Sequence, residues 1–199
     1  MRTALPALPA RPPMSRSTHW LLLSALLLAT GPCNAAAEPA APPLPAAVTS
    51  LVPNLEAKGG GRLTFLGMSV YSAYYYCIDR SRCSWSPEEP FALQLVYHRS
   101  LVGSMIAERS VDEIAKLGYG TPDKRARWGA LMKQIFPDVV DGDRIVGVNL
   151  PQSGARFYYN GKAIGEIQDR EFAKAFFGIW LDSRSSEPAL RKKLLGKPQ

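Results

Sequence analysis

The spacing of apolar positions changes along the chain, and each spacing predicts an element. Phe91, Leu93, Leu95 and Tyr97 recur at every second residue of 91–99, the period of a half-buried strand. Before them, 62–77 is rich in aromatic and β-branched residues with Gly67 as a turn or bulge, which predicts a strand pair or one long bent strand. The stretches 143–150, 155–159 and 162–167 read as strands, the last two joined by Asn160-Gly161 as a two-residue hairpin turn. Elsewhere the period is helical. A helix is predicted over about 104–117, where Ser110-Val-Asp-Glu113 reads as a capping box or a kink. Thr121-Pro122 opens the next, whose Trp128, Leu131, Met132, Ile135 and Phe136 form one stripe, and Pro137 stops it. Residues 169–182 carry Phe172, Phe176 and Trp180 at i, i+4 and i+8, beside a second row of Ala173, Phe177 and Leu181. More than one face of that helix is apolar, so one row can meet a sheet and the other its neighbouring helices or a ligand. A last amphipathic helix runs from Ser186 to Gly196. Strands joined by hairpins and interleaved with helices predict an α+β fold, an antiparallel sheet covered by a layer of helices.

Composition divides the 199 residues into three parts. Residues 1–37 read as a signal peptide: Arg2, Arg11 and Arg16 without acidic neighbours, the ten-residue apolar run Trp20 to Ala29, then Ala35-Ala36-Ala37 as a cleavage site. Met14 as initiator in place of Met1 gives a leader of more usual length. The apolar run is short for a membrane span, so the expectation is cleavage near Glu38, a secreted or periplasmic product, and no stable span afterwards. Residues 38–58 hold Pro39, Pro42, Pro43, Pro45 and Pro53 among small residues and read as a tether. The domain is then 59–199, with Gly59-Gly60-Gly61 as a turn into the first strand. No Gly-Lys-Ser/Thr ending follows these glycines, which argues against a phosphate cradle.

Loss of the three leader arginines takes the net charge from +7 to +4. The remaining cations are scattered along helices rather than gathered in a tract with aromatics, so nucleic acid is not an expected partner. Cys77 and Cys83 are a disulfide candidate in an oxidising compartment, with free structural thiols as the alternative. Two thiols with His98 as the single histidine of the mature chain do not make a zinc shell or a catalytic dyad, so neither metal nor cofactor is expected.

Five stretches, GGRLTFLGMSVYSAYYY, PFALQLVY, FPDVVDGDRIVGV, GARFYYNGKAIGEI and FAKAFFGIWLDSRSSEPALRKKLLG, in this order resemble the chalcone isomerase family, in particular its bacterial exported chalcone-isomerase-like branch. The resemblance covers Gly60 to Gly196 and implies an open-faced β-sandwich with a cleft between sheet and helices. The plant enzymes of the family close a chalcone to a flavanone and use an arginine early in the first strand pair, matched here by Arg62. Their carbonyl-polarising threonine falls at Tyr71, or at Ser72 after a shift of one residue. Their helix residues beside the cleft fall near Val111, Ile114 and Gly118, with Lys116 and Tyr119 close by, and their late hydroxyl near Ile179 and Trp180. A non-catalytic branch of the family binds fatty acids, with an arginine and a tyrosine on the carboxylate, and Arg62 with Tyr71 suits that purpose.

The resulting reading is a binding protein for a small hydrophobic molecule or fatty acid, with Arg62, Tyr71, Phe172, Phe176 and Trp180 around the ligand. The first alternative is an isomerase or intramolecular lyase acting on an enone, with Arg62 and Tyr71 as catalytic groups. The second is a structural or interaction domain of the cell envelope.

Overall fold

Two-residue turns and alternating side chains generate most of the sheet. The computed structural model describes residues 40–196. The leader assigned to 1–37 lies outside them. Strands β1 (Leu55–Phe65), β2 (Met68–Ile78), β3 (Phe91–Tyr97), β4 (Arg144–Leu150), β5 (Gly154–Tyr159) and β6 (Lys162–Ile167) pair in chain order, each antiparallel to the next. Five helices accompany them: α1 (Ala46–Leu51), α2 (Gly103–Lys116), α3 (Pro122–Ile135), α4 (Arg170–Leu181) and α5 (Pro188–Leu194). This is the α+β open sheet expected from the pattern.

The strand period sorts the side chains onto two faces. Ala73, Tyr75 and Cys77 of β2 and Phe91, Leu93, Leu95 and Tyr97 of β3 join the larger core, with Ile145 of β4 and Phe157 of β5. Helices α2 to α5 complete that core with Ile114, Trp128, Met132, Phe176, Phe177 and Leu190, among others. The other face carries Tyr74, Tyr76, Ala92, Val146, Val148 and Tyr158, which bury against Val48 and Val52. Residues 40–52 therefore cover the sheet instead of forming a free tether. Tyr76 donates its hydroxyl proton to the Pro42 carbonyl, and Leu55 to Lys58 already belong to β1. Prolines that cannot build a helix or central strand can still lay an extended arm on an apolar sheet face, and composition alone does not distinguish the two.

The triple glycine lies inside β1, not before it. A Cβ on Gly59 would stand 2.1 Å from the Lys193 carbonyl oxygen, and one on Gly60 2.5 Å from the Tyr74 ring. These glycines let α5 and Tyr74 approach the strand from opposite sides. Thr121 caps α3, accepting from Lys124 N at 3.3 Å, whereas Ser110 sits mid-helix and donates to the Ile106 carbonyl at 2.8 Å.

Candidate functional site

The two apolar rows of α4 leave eight of its residues buried. Asp169 starts the helix, its Oδ1 accepting from the backbone N–H groups of Glu171 (2.8 Å) and Phe172 (3.1 Å). Its other oxygen accepts from Trp128 Nε1 at 2.9 Å, which ties α3 to the same point. From there the rings follow one another. Trp128 meets Phe172 at 5.8 Å between centroids, Phe172 stacks on Phe176 at 5.5 Å, and Phe176 meets Trp180 at 5.5 Å. Phe157 from the sheet and Phe136 from the end of α3 close on Phe176 at 5.2 and 6.0 Å. The second row faces the sheet directly: Phe177 packs on Phe91 at 4.9 Å, and a Cβ on Gly147 of β4 would lie 3.0 Å from its ring.

The row ends at a polar group. Trp180 Nε1 donates to the Tyr71 hydroxyl oxygen at 2.9 Å, and the Tyr71 ring stands edge-on to both Trp180 and Tyr97. Burial pushes the Tyr71 phenol above its ordinary range, against the smaller effect of the Trp180 hydrogen bond, so the phenol is neutral at physiological pH. Since its oxygen accepts from Trp180, the Tyr71 proton remains available for an acceptor.

Charged groups gather beside this end. Glu113 of α2 is buried and accepts from Ser186 (2.6 Å) and Lys116 (2.9 Å), with Arg109 at 2.6 Å. Burial raises its pKa, but those hydrogen bonds and the Arg109 charge outweigh it and leave the carboxyl below its ordinary range. The charges of Glu187, Glu113 and Arg109 all act on Tyr71. Asp182, just after α4, accepts from Tyr119 at 2.7 Å and from Arg184 through its Nε (3.0 Å) and a terminal nitrogen (2.9 Å).

Of the residues singled out in the sequence, Tyr71, Phe172, Phe176 and Trp180 come together along one continuous aromatic run. Arg62 does not join them. It pairs across the ladder with Ser72, while Tyr71 pairs with Leu63, so Arg62 and Tyr71 project from opposite faces of the sheet. On its own face Arg62 reaches Ser69 Oγ at 3.5 Å. Ser72 contacts His98 Nε2 at 2.8 Å, and His98 Nδ1 stands 3.9 Å from Asp141. Ser72 is buried there, and the contact ties β2 to the chain leaving β3. Among the positions matched to the family's helix residues, Ile114 is core, Val111 packs on Gly129 of α3, and Lys116 and Tyr119 are engaged by Glu113 and Asp182. Arg109, Glu113 and Ser186 were not singled out from the sequence as site residues. The signal present was Arg109 and Glu113 at i and i+4, the spacing of a helical ion pair.

Cys77 and Cys83 are joined by a disulfide. Two open grooves lie on the described surface, one between α2 and α3 near Val111 and Arg125, the other beside the start of α4 near Asn149 and Arg170. Between α4 and the sheet the aromatic rings fill the space themselves. No group of three or more metal-ligating side chains occurs among the described residues, and no helix among them is long and apolar enough to cross a membrane.

An open antiparallel sheet with a helix layer pressing an aromatic row onto one face, and a partly buried phenol at the end of that row, defines the architecture. The chain belongs to the chalcone isomerase-like family, whose sequence profile matches residues 38–196. Its fold is similar to the crystal structure of a fatty-acid binding protein of Arabidopsis thaliana, with a TM-score of 0.55 over 72% of this chain and 88% of that one, at 12% identity. Among curated proteins none matches the chain by sequence.

Proposed function

We propose that the protein is an exported carrier of a small hydrophobic or acyl molecule, bound between α4 and the sheet with the ligand's polar group at Tyr71. The observation that carries this reading is the partly buried Trp180–Tyr71 hydrogen bond at the end of the Phe172–Phe176–Trp180 row. A neutral phenol held by an indole N–H presents its own proton to a carboxylate or carbonyl, while the rings offer an apolar wall. A carboxylate's charge is then left to Arg109, which is paired with Glu113 at 2.6 Å and acts on Tyr71 against the larger effects of Glu187 and Glu113, since Arg62 lies on the other face. Entry of an acyl chain requires Phe172 and Phe176 to part from Phe157, since these rings occupy the path. Family membership and the fold shared with a fatty-acid binding protein support the ligand class. The leader pattern and the Cys77–Cys83 pair support an oxidising compartment.

The test is titration with a fluorescent long-chain fatty acid, together with native mass spectrometry of the protein recovered from cells expressing the full chain. Tyr71→Phe and Arg109→Gln are each expected to weaken probe binding by about fivefold to tenfold, the worth of one hydrogen bond or charge contact, with Arg62→Ala near wild type. No copurified acyl species and no probe binding would remove the carrier reading. Turnover of an enone substrate that Tyr71→Phe abolishes would favour the isomerase alternative. Amino-terminal sequencing of the recovered protein tests export: a start near residue 38 is expected, and an intact leader in the cytoplasm overturns it.

A further inference from the structure

Two two-residue hairpins turn at the same end of the sheet, and they are built differently. The β5–β6 turn uses Asn160 and Gly161, both at positive φ (47° and 86°), the residues this turn favours. The β1–β2 turn takes the same left-handed geometry with Leu66 (φ 50°) and Gly67 (φ 77°). A leucine there strains its backbone, and packing offers no return, because its side chain is 81% exposed. Phe65 and Met68 flank it, 63% and 51% exposed.

Other apolar side chains arrive at the same end by connectivity. The Val70 carbonyl accepts from His98 N, and Leu101 exchanges backbone hydrogen bonds with Val139. This brings exposed Val102, Met105 and Val140 to the hairpin's end of the sheet. Six of the eight exposed large apolar residues of the described chain thus share one end, the exceptions being Ile78 and Leu131, so their exposure is not random scatter.

Cations share this end of the sheet. Arg62, Arg99, Arg144 and Lys162 stand at this end, and none forms an ion pair among the described residues. Of the nearby carboxylates, Asp138 and Asp143 are engaged by hydrogen bonds within the protein, and Asp141 is exposed. Asp138 accepts from Gly103 N, Asp143 from Val140 N, Tyr159 and Asn160, and Asp141 faces His98. Separate apolar prongs on loop tips suit a deformable phase, whereas a folded partner needs a continuous patch.

We propose that this end of the sheet docks on an anionic lipid bilayer, with Phe65, Leu66 and Met68 entering the headgroup region and Arg99, Arg144 and Lys162 lying over it. The inference does not rest on the cleft's ligand. If acyl-probe binding fails while vesicle binding persists, the carrier reading falls and this one stands.

The test is cosedimentation of the soluble protein, recovered from cells expressing the full chain, with two kinds of vesicle. One is phosphatidylethanolamine with phosphatidylglycerol, the other phosphatidylcholine alone. Partition onto the anionic vesicles is expected at low salt, weakening at high salt. Leu66→Asn keeps the turn geometry, since Asn tolerates this conformation, so its unfolding midpoint should match or exceed wild type. Its partition should drop several-fold, and that of Phe65→Ser/Leu66→Asn/Met68→Ser by about tenfold or more. Absence of wild-type partition, or equal partition of the triple variant, overturns the proposal. Equal binding to phosphatidylcholine overturns the role of the cations. Self-association in sedimentation velocity that Leu66→Asn abolishes, without vesicle binding, assigns the surface to a second copy of the chain instead.

Discussion

Gln94 shows how a residue's neighbours decide its energetic sign. It sits in the middle of β3, on the face that the strand alternation assigns to polar side chains, and the arm 40–52 covers that face. The result is a fully buried amide whose nitrogen and oxygen have no hydrogen-bond partner among the described residues. An unsatisfied buried amide costs about 1–3 kcal/mol. Gln94→Met, of similar length and without polar demand, is therefore expected to stabilise the fold by about 1 kcal/mol, read as a higher urea midpoint at unchanged slope. A lower midpoint would mean that Gln94 is satisfied in solution.

Arg62 and Tyr71 illustrate the same dependence at the site. A plain hairpin across Leu66-Gly67, continuing the Phe65↔Met68 and Thr64↔Ser69 pairs, puts Arg62 opposite Tyr71 on one face. The register shifts between Leu63 and Thr64, where β2 carries Val70 as an extra residue, and Arg62 then faces Ser72. One bulge moves the cation to the other side of the sheet. No residue in the stretch announces it, and the extra residue, Val70, spends its carbonyl on His98 N from a segment further along the chain.

At the scale of elements, α4 is the piece on which sheet and helix layer both depend. Phe176 touches Phe136, Phe157, Phe172, Phe177 and Trp180, so it joins α3, α4 and β5 in one contact set. Phe176→Ala is expected to cost about 3–5 kcal/mol, since surrounding rings anchored on three elements cannot collapse into the space. Trp180→Phe keeps most of the packing and loses the hydrogen bond to Tyr71, for about 1 kcal/mol. Chemical unfolding of the two variants separates them. Similar losses would mean that the Tyr71 contact, rather than the ring cluster, holds α4 in place. The boundaries of α3, β4, β5 and β6 were legible in the sequence to within a residue or two, because Thr121-Pro122, Pro137 and Asn160-Gly161 act through local backbone preferences. The arm 40–52 was not legible, because its order comes from contact with strands remote in sequence.

At the scale of the whole molecule, the helix layer is tied together by carboxylates. Asp182 links the end of α4 to Tyr119 and Arg184, and Glu113 links α2 to Ser186 before α5. The Arg184 contacts hold Asp182 far below the ordinary carboxylate range against the opposing effect of burial, and Glu113 is also lowered. A folded pKa below the unfolded one gives stability that is present above the unfolded value of about 4 and is lost as pH falls through the folded value. Stability should thus hold near neutral pH and decline progressively below about pH 4. Asp182→Asn should be less stable than wild type at neutral pH, and the difference should shrink as acid protonates Asp182 in the wild type. Urea midpoints across the acid range check this. A difference independent of pH would assign the contribution of Asp182 to shape and not to charge.

The sequence by itself determined the α+β class, the antiparallel hairpin order, the aromatic helix and the resemblance that family membership sustains. These depend on spacing, turn chemistry and side-chain type, which act over a few residues and survive without knowledge of the partner. The tertiary structure alone settled which face each site residue occupies, that Arg62 and Tyr71 lie on opposite faces, and that a proline-rich arm is a covering layer. Those outcomes rest on register, bulges and contacts between distant segments, where a shift of one residue reverses a side chain while the local pattern stays unchanged.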